Sequence, residues 1–252
     1  MITSVTKATE ILKLFLLGKT ELSLKEISNA FEQHKSSVYR TLSTLVEARF
    51  LEKDETTNKY HLGLIFLDFA SHVLGRFNIR DQAKPYLKNL AEQTQEIIHL
   101  SILEGSEIIY LDKEGQAQPL TVATKIWGRH PSHCSGMGKV LLSELGRTEL
   151  LKVLGPGPYK RMTPNTITDF DVLVKVLECV RQDGYAIDDE EAFPGIRCVA
   201  APIKGSNGKI LAAVSATVPI QRMDEERTME VCGMLMDTAG RISKQVAGVT
   251  IQ

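Results

Sequence analysis

The 252-residue sequence predicts an α+β protein: a small helical head ending in a two-stranded hairpin, a connecting helix, and a larger domain built on an antiparallel sheet. Three observations carry that prediction. Over residues 4–49 apolar side chains recur at helical spacing in three successive segments, each with one face suited to burial. Residues 50–62 switch to two short strand-like runs around a polar turn. Beyond residue 95, strand candidates and helices mix without the βαβ rhythm of a parallel sheet, which points to helices packed on antiparallel strands. The expected domains are a head over 1–62, a linker helix over 63–78 and a second domain over 79–252.

The first helix spans 4–17, where Val5, Ala8, Ile11, Leu12, Phe15 and Leu16 form one stripe and Gly18 supplies the stop. Ser23 and Glu26 have capping-box spacing, so a second, short helix starts there with Leu24, Ile27 and Phe31 as its apolar edge. A third helix covers 34–49, with Val38, Leu42, Leu45 and Val46 facing inward. Helix, short helix, turn and longer helix is the order of a helix-turn-helix. The runs 50–53 and 59–62 around the polar turn 54–58 then read as a wing.

The outward face of the third helix carries Lys35, Ser36, Ser37, Tyr39, Arg40 and Thr44. Short hydroxyls and two cations in the first turns suit a helix whose N-terminal end enters a DNA major groove. Arg40 has the fork geometry for a guanine edge, while Lys, Ser and Thr take phosphates. An ordinary amphipathic surface helix shows the same periodicity; the succession of elements from first helix to wing favours DNA. Lys53 and Lys59 flank the wing tip, and with Asp54 and Glu55 also there, Lys59 is expected to position the backbone and read no base.

Composition narrows the classes. A hydrophobic content of 43% with 24% charged residues describes a globular chain able to bury proper cores. The net charge of -1 excludes a bulk basic field, so any nucleic-acid surface is local. No apolar run approaches the ~18 residues of a membrane span, and the N-terminus lacks a signal-peptide core. Cys134, Cys179, Cys198 and Cys232 are scattered without CxxC spacing, as expected of reduced thiols in a cytoplasm.

In the connecting segment Leu64, Ile65, Phe66, Leu67, Phe69, Ala70, Val73 and Leu74 cover a helix nearly all round, which predicts burial on more than one side, as between two subunits. A helix over 79–95 follows, then strands over 97–104, 107–112, 120–126, 197–203 and 209–217, and helices over 136–154, 169–182 and 224–247. Ser206, Asn207, Gly208 and Lys209 form the turn between the last two strands.

Three stretches carry a family resemblance: KSSVYRTLSTLVEARFLEKD in the head, HPSHCSGMGKVLLS over 130–143 and GYAIDDEEAFPGIRCVAAPI over 184–203. With them the chain resembles the IclR family of transcriptional regulators from end to end. Tyr159, Lys160 and Arg161 followed by Thr166, Ile167 and Thr168 resemble the subgroup that regulates sugar-acid and pectin-breakdown genes. The resemblance implies a GAF-like second domain that binds a small organic acid, and a homodimer or dimer of dimers on operator DNA. It also implies ligand contacts at the positions of Asp188, Ile196, Cys198, Ser215 and Thr217.

The residues themselves agree with that implication. Ser135, Gly136 and Met137 open a helix whose free amides suit a carboxylate, and Gly136 and Gly138 would let a ligand approach; small residues also permit close helix packing. Lys139, one turn in, is expected to face solvent. Ser215 and Thr217 share one strand face, as do Cys198, Ala200 and Pro202. Of the acidic run 188–191, only Asp188 is expected to face the ligand, the others forming a solvated edge. His130, His133 and Cys134 suggest a metal clip, but no second paired element accompanies them, so no metal is expected. Gly155, Gly157, Gly205 and Gly208 form no nucleotide-binding loop, and no cofactor is expected. The expected function is a DNA-binding regulator without catalytic activity, controlled by a keto or sugar acid. The alternative is a small-molecule enzyme using Cys134 or Cys198 with His133.

Overall fold

The computed structural model describes residues 3–31, 34–75, 78–115 and 124–246. They fall into two compact units, 1–76 and 77–252.

In the first unit, α1 (Thr3–Leu14) runs into a short 3-10 turn that ends at Gly18 with φ 91°. β1 (Leu22–Ser23) leads into α2 (Leu24–Ala30), whose start has the capping box: the Ser23 hydroxyl accepts from the Glu26 amide and the Glu26 carboxylate accepts from the Ser23 amide. α3 (Lys35–Glu47) follows. It closes with Arg49 in the left-handed region, φ 62°, where Phe50 N–H donates to Leu45 O and Arg49 N–H to Val46 O. Those are the two bonds of a Schellman stop, here with an arginine in the usual glycine position. β2 (Leu51–Lys53) and β3 (Lys59–Leu62) form the wing, and β1, absent from the sequence expectation, pairs with β3 as a third strand. Ile11, Ile27, Val38, Leu42 and Leu51 are fully buried in one core, each worth roughly 1.5–3 kcal/mol of transfer.

Gly63 ends the wing. A Cβ there would overlap the carbonyl oxygen of Arg49, so only glycine lets the chain leave the hairpin at this point. α4 (Ile65–Leu74) belongs to this unit, and Phe66 and Phe69 pack with Phe50. The expected burial on several sides is not met within one chain: Leu64, Leu67, Phe69 and Val73 are exposed, Leu64 by 70%. Apolar residues on opposite faces of one helix cannot all reach a core that lies on one side of it.

The second unit opens with α5 (Asn78–Thr94). Its sheet comprises β4 (Ile97–Glu104), β5 (Glu107–Glu114), β6 (Arg129–Pro131), β7 (Ala186–Asp189), β8 (Ile196–Lys204) and β9 (Ile210–Pro219), in the antiparallel order β6-β5-β4-β9-β8-β7. α5 and α9 (Glu225–Val246) cover one face, where Ile98, Leu100, Val199, Val214 and Ala216 meet Leu87, Leu90, Val231 and Leu235. α6 (Gly136–Leu142) and α8 (Phe170–Asp183) cover the other. The helix expected over 136–154 is two helices, α6 and α7 (Arg147–Leu154), because a new helix start forms after a turn at 143–145, where the Gly146 amide donates to the Glu149 carboxylate at 3.0 Å. β6 and β7 are too short to show a pattern in sequence. The strand expected over 120–126 lies outside the described residues up to 123, and 124–126 are not strand.

Candidate functional site

The first candidate surface is set by α3. Because Val38, Leu42 and Leu45 are buried, the opposite face is forced outward: Lys35, Ser36, Tyr39, Arg40 and Thr44 are exposed and Ser37 is half-buried. Lys35, Ser36, Tyr39 and Arg40 border one shallow groove with Leu24 of α2. The Ser37 hydroxyl accepts from the Lys7 ammonium at 2.8 Å. Burial and then the charge of Arg40 hold Lys7 below the usual lysine range, so a second cation stands beside Arg40. Sequence reading missed Lys7, whose one signal was a cation on the polar side of α1. At the wing, Lys59 is ion-paired with Glu21, and that carboxylate holds it above the usual lysine range. Asp54 accepts from the Thr56 hydroxyl and from the amides of Thr56 and Thr57, which hold its carboxyl down to about 2 and shape the tip.

The second candidate lies on the α6 face of the sheet. Register places Asp188, Cys198 and Thr217 in one row across β7, β8 and β9, and Ala186, Ala200, Ser215 and His99 in the next across β7, β8, β9 and β4. Directly paired residues point to one face, so an unusual set of polar groups shares a buried surface. His99, Ser101, Asp188 and Ser215 are each no more than 2% exposed. Cys198 donates to Thr217 Oγ1 at 3.4 Å, Ser101 donates to Met137 Sδ at 3.0 Å, and Ser215 Oγ has no partner among the described residues. Ile196, also buried, lies two residues from Cys198 on the same face.

α6 begins against this surface. Ser135 caps it, its hydroxyl accepting from the Gly138 amide at 3.1 Å. Gly138 answers to packing, since a Cβ there would overlap the Ser132 backbone, whereas one on Gly136 would only come into ordinary contact, 3.4 Å, with Ala200 and the Cys198 carbonyl. Close helix packing therefore accounts for Gly138 without a ligand.

Two expectations are corrected here. Lys139 does not face solvent; it is 1% exposed, paired with the Glu191 carboxylate and donating to the Ile187 carbonyl. Glu191 is consequently no part of a solvated acidic edge, though Asp189 is. A buried ammonium is tolerated only with a carboxylate beside it, and the turn after β7 brings one in. Thr166 Oγ1 donates to the Glu191 carbonyl at 2.7 Å and Thr163 Oγ1 to the Glu190 carbonyl at 2.6 Å, which holds that turn in place. Asp188 Oδ1 accepts from the amides of Glu191 and Ala192, at 2.7 and 3.3 Å. Burial nonetheless pushes its carboxyl up to about 7, against the opposing pull of Lys139 and these amides.

The thiols lack the surroundings of a nucleophile. Cys134 lies 3.7 Å from His130 Nε2, but burial pushes it up to about 12 and raises Cys198 further, so neither is held as thiolate. His133 faces the Lys160 carbonyl at 3.0 Å and packs on Tyr159. No group of three or more potential metal ligands occurs among the described residues.

Comparison with known proteins matches both units. Residues 4–55 correspond to the IclR helix-turn-helix domain, and residues 71–244 to the domain described as bacterial transcriptional regulator IclR C-terminal. The HTH-type transcriptional regulator KdgR of Escherichia coli (strain K12) is 33% identical over 246 residues, covering 97% of this chain and 93% of that one. The HTH-type transcriptional regulator XynR of the same organism is 34% identical over 226 residues, 89% of each chain. The crystal structure of the Thermotoga maritima IclR matches with a TM-score of 0.75 at 32% identity, covering 98% of this chain and 100% of that one. With both domains matched and full-length relatives above 30% identity, the chain belongs to the IclR family of transcriptional regulators.

Proposed function

We propose that this protein is a cytoplasmic, operator-binding regulator whose DNA affinity is set by a small keto or sugar acid held on the α6 face of the second unit. On DNA, Arg40 reads a guanine edge, Tyr39 packs beside it, and Lys35, Ser36, Ser37 and Thr44 take phosphates, with Lys59 positioning the wing. In the second unit the first amides of α6, at Gly136 and Met137 behind the Ser135 cap, receive the carboxylate. Asp188, Cys198, Ser215 and Thr217 receive the hydroxyl or keto groups, and Ile196 forms an apolar wall. The exposed apolar face of α4, within the 63–78 linker, packs against a second copy to give a homodimer, and two dimers can then share an operator.

The observation that carries the acid reading is Ser215: a hydroxyl with no partner among the described residues, 1% exposed, on a face already lined by Asp188, Cys198 and Thr217. Leaving a buried hydroxyl unbonded costs about 1–3 kcal/mol, which a ligand oxygen would recover. No described helix is long and apolar enough to cross a membrane.

The test is fluorescence anisotropy on DNA from upstream of the protein's own gene, at several salt concentrations, with a panel of keto and sugar acids. Saturable binding that weakens with salt and shifts with one acid is expected. The factor by which that acid changes DNA affinity must equal the factor by which DNA changes acid affinity. DNA affinity indifferent to every acid in the panel, with calorimetry showing no acid bound, would remove the acid while leaving the DNA function.

A further inference from the structure

His99 was not singled out by sequence and has no assigned role. It stands at the junction of two hydrogen bonds inside the second unit. Thr217 Oγ1 lies 3.2 Å from His99 Nδ1, and His99 Nε2 lies 2.7 Å from Thr124 Oγ1. The direction of this chain follows from its first member. Cys198 donates its thiol hydrogen to Thr217 Oγ1, so the Thr217 hydrogen is free to go to Nδ1, and the imidazole proton then sits on Nε2, directed at Thr124. Burial holds the imidazole down to about 3, so the ring stays neutral and one nitrogen must accept while the other donates.

Beyond Thr124 the loop is over-determined. Trp127 sits at φ 66°, an unfavourable position for a bulky residue, and is kept there by bonds from its own amide to the Tyr110 carbonyl, 2.7 Å, and from the Tyr110 amide to the Gly128 carbonyl, 3.1 Å. The Arg80 guanidinium lies 5.7 Å from the Trp127 ring centre and pairs at 3.3 Å with the buried Asp112. Arg80 is in the first turn of α5, directly after the point where the chain passes between its two units.

We propose that His99 is the positioning residue that ties the ligand-facing hydroxyl of Thr217 to the 124–128 loop, and through Trp127 and Arg80 to the head of α5. The proposal rests on the acid-binding reading for the occupant of the face; the hydrogen-bond chain stands apart from it. A ligand oxygen that takes the Thr217 hydrogen withdraws the donor from Nδ1. The ring then changes tautomer by exchange with solvent: Nε2 gives up its proton to water on the side of the half-buried Thr124, Nδ1 takes one from water and donates it to Thr217 Oγ1, so that no net proton is gained and Nε2 turns from donor to acceptor toward Thr124.

Trp127 is the chain's single tryptophan and therefore the reporter. In the full-length protein, Thr217→Val is expected to shift its emission and acrylamide quenching, and to produce no further shift in a Thr124→Val background. Additive shifts would overturn the relay. Nitrogen-15 NMR of the ligand-free wild type, with His99 assigned by His99→Gln, keeps the question open to test if a valine variant misfolds: the neutral Nε2–H tautomer is expected, and an Nδ1–H form or imidazolium would refute it. Pyruvate and gluconate are then added at concentrations that calorimetry shows to saturate. A bound acid should swap the tautomer and lose its Trp127 signal in Thr124→Val at unchanged affinity, and retention of that signal refutes the relay. If neither acid binds, the acid reading loses these two ligands, while the mutant cycle and the ligand-free tautomer still decide the role of His99.

Discussion

Arg40 and Lys7 illustrate how single residues divide the work expected on DNA. Arg40 is exposed on α3, and Arg40→Ala should cost about 1–3 kcal/mol of operator binding and relax preference at one base position, measured by anisotropy on operator variants. Lys7 stands beside it but on α1, tied to Ser37, and Lys7→Met should weaken all sequences alike and reduce the salt slope by about one. In the second unit Lys139 is a residue of structure. Lys139→Met leaves Glu191 charged and buried without its cation, a change expected to cost about 3–5 kcal/mol in chemical denaturation, while Lys139→Met with Glu191→Leu should recover much of it.

Two separate buried ionisable groups on the sheet face have opposite pH signatures. His99, depressed from 6.5 to about 3, contributes stability that is complete above pH 6.5 and lost as pH falls toward 3. Asp188, raised from 3.8 to about 7, contributes stability that is complete below pH 3.8 and lost as pH rises through 7. Thermal melts across pH 3–8 should therefore show His99→Gln flattening the acid limb and Asp188→Asn flattening the neutral limb. Unchanged limbs would mean that the two groups are hydrated in solution.

At the scale of elements, α4 and α6 differ in how their apolar and small residues are used. α6 is buried throughout, and Gly138 meets the Ser132 backbone, so Gly138→Ala must displace Ser132 and should cost about 1–3 kcal/mol. α4 carries Leu67, Phe69 and Val73 to the surface of the single chain. If the proposed α4 dimer forms, Leu67→Lys with Val73→Lys is expected to leave monomers in sedimentation velocity, with helix content retained and operator affinity reduced. A dimer that survives both changes would place the subunit contact elsewhere.

For the molecule as a whole, each unit has its own core, and the acid and DNA surfaces proposed for it lie on different units. The net charge of -1 makes the DNA surface a local one, so raising salt should weaken operator binding far more than it changes acid affinity. A coupling between the two units of about 1–3 kcal/mol is the range expected of an allosteric regulator.

Much of this was decided along the chain alone. The period of Val38, Leu42 and Leu45 forces Lys35, Tyr39 and Arg40 outward whatever the partner elements are, because an α-helix has only one way to bury that stripe. The Ser23 cap, the alternation of Ser215 and Thr217, and the turn at Gly208 are likewise local, set by neighbouring backbone and a period of two. Tertiary structure decided the rest. Lys139 looked like a surface lysine because its counter-ion, Glu191, is 52 residues away. His99 looked like one polar residue in an apolar strand until β9 set Thr217 against it and the chain returned at Thr124. Arg49 shows no glycine-like signal, yet the close approach of Gly63 and the exit from α3 place it in the left-handed region. For Lys139 and His99 the deciding energy is a pairing of buried charge or a hydrogen bond between segments distant in sequence, and for Arg49 the contact with Gly63 adds to its local helix stop; no local period encodes these pairings.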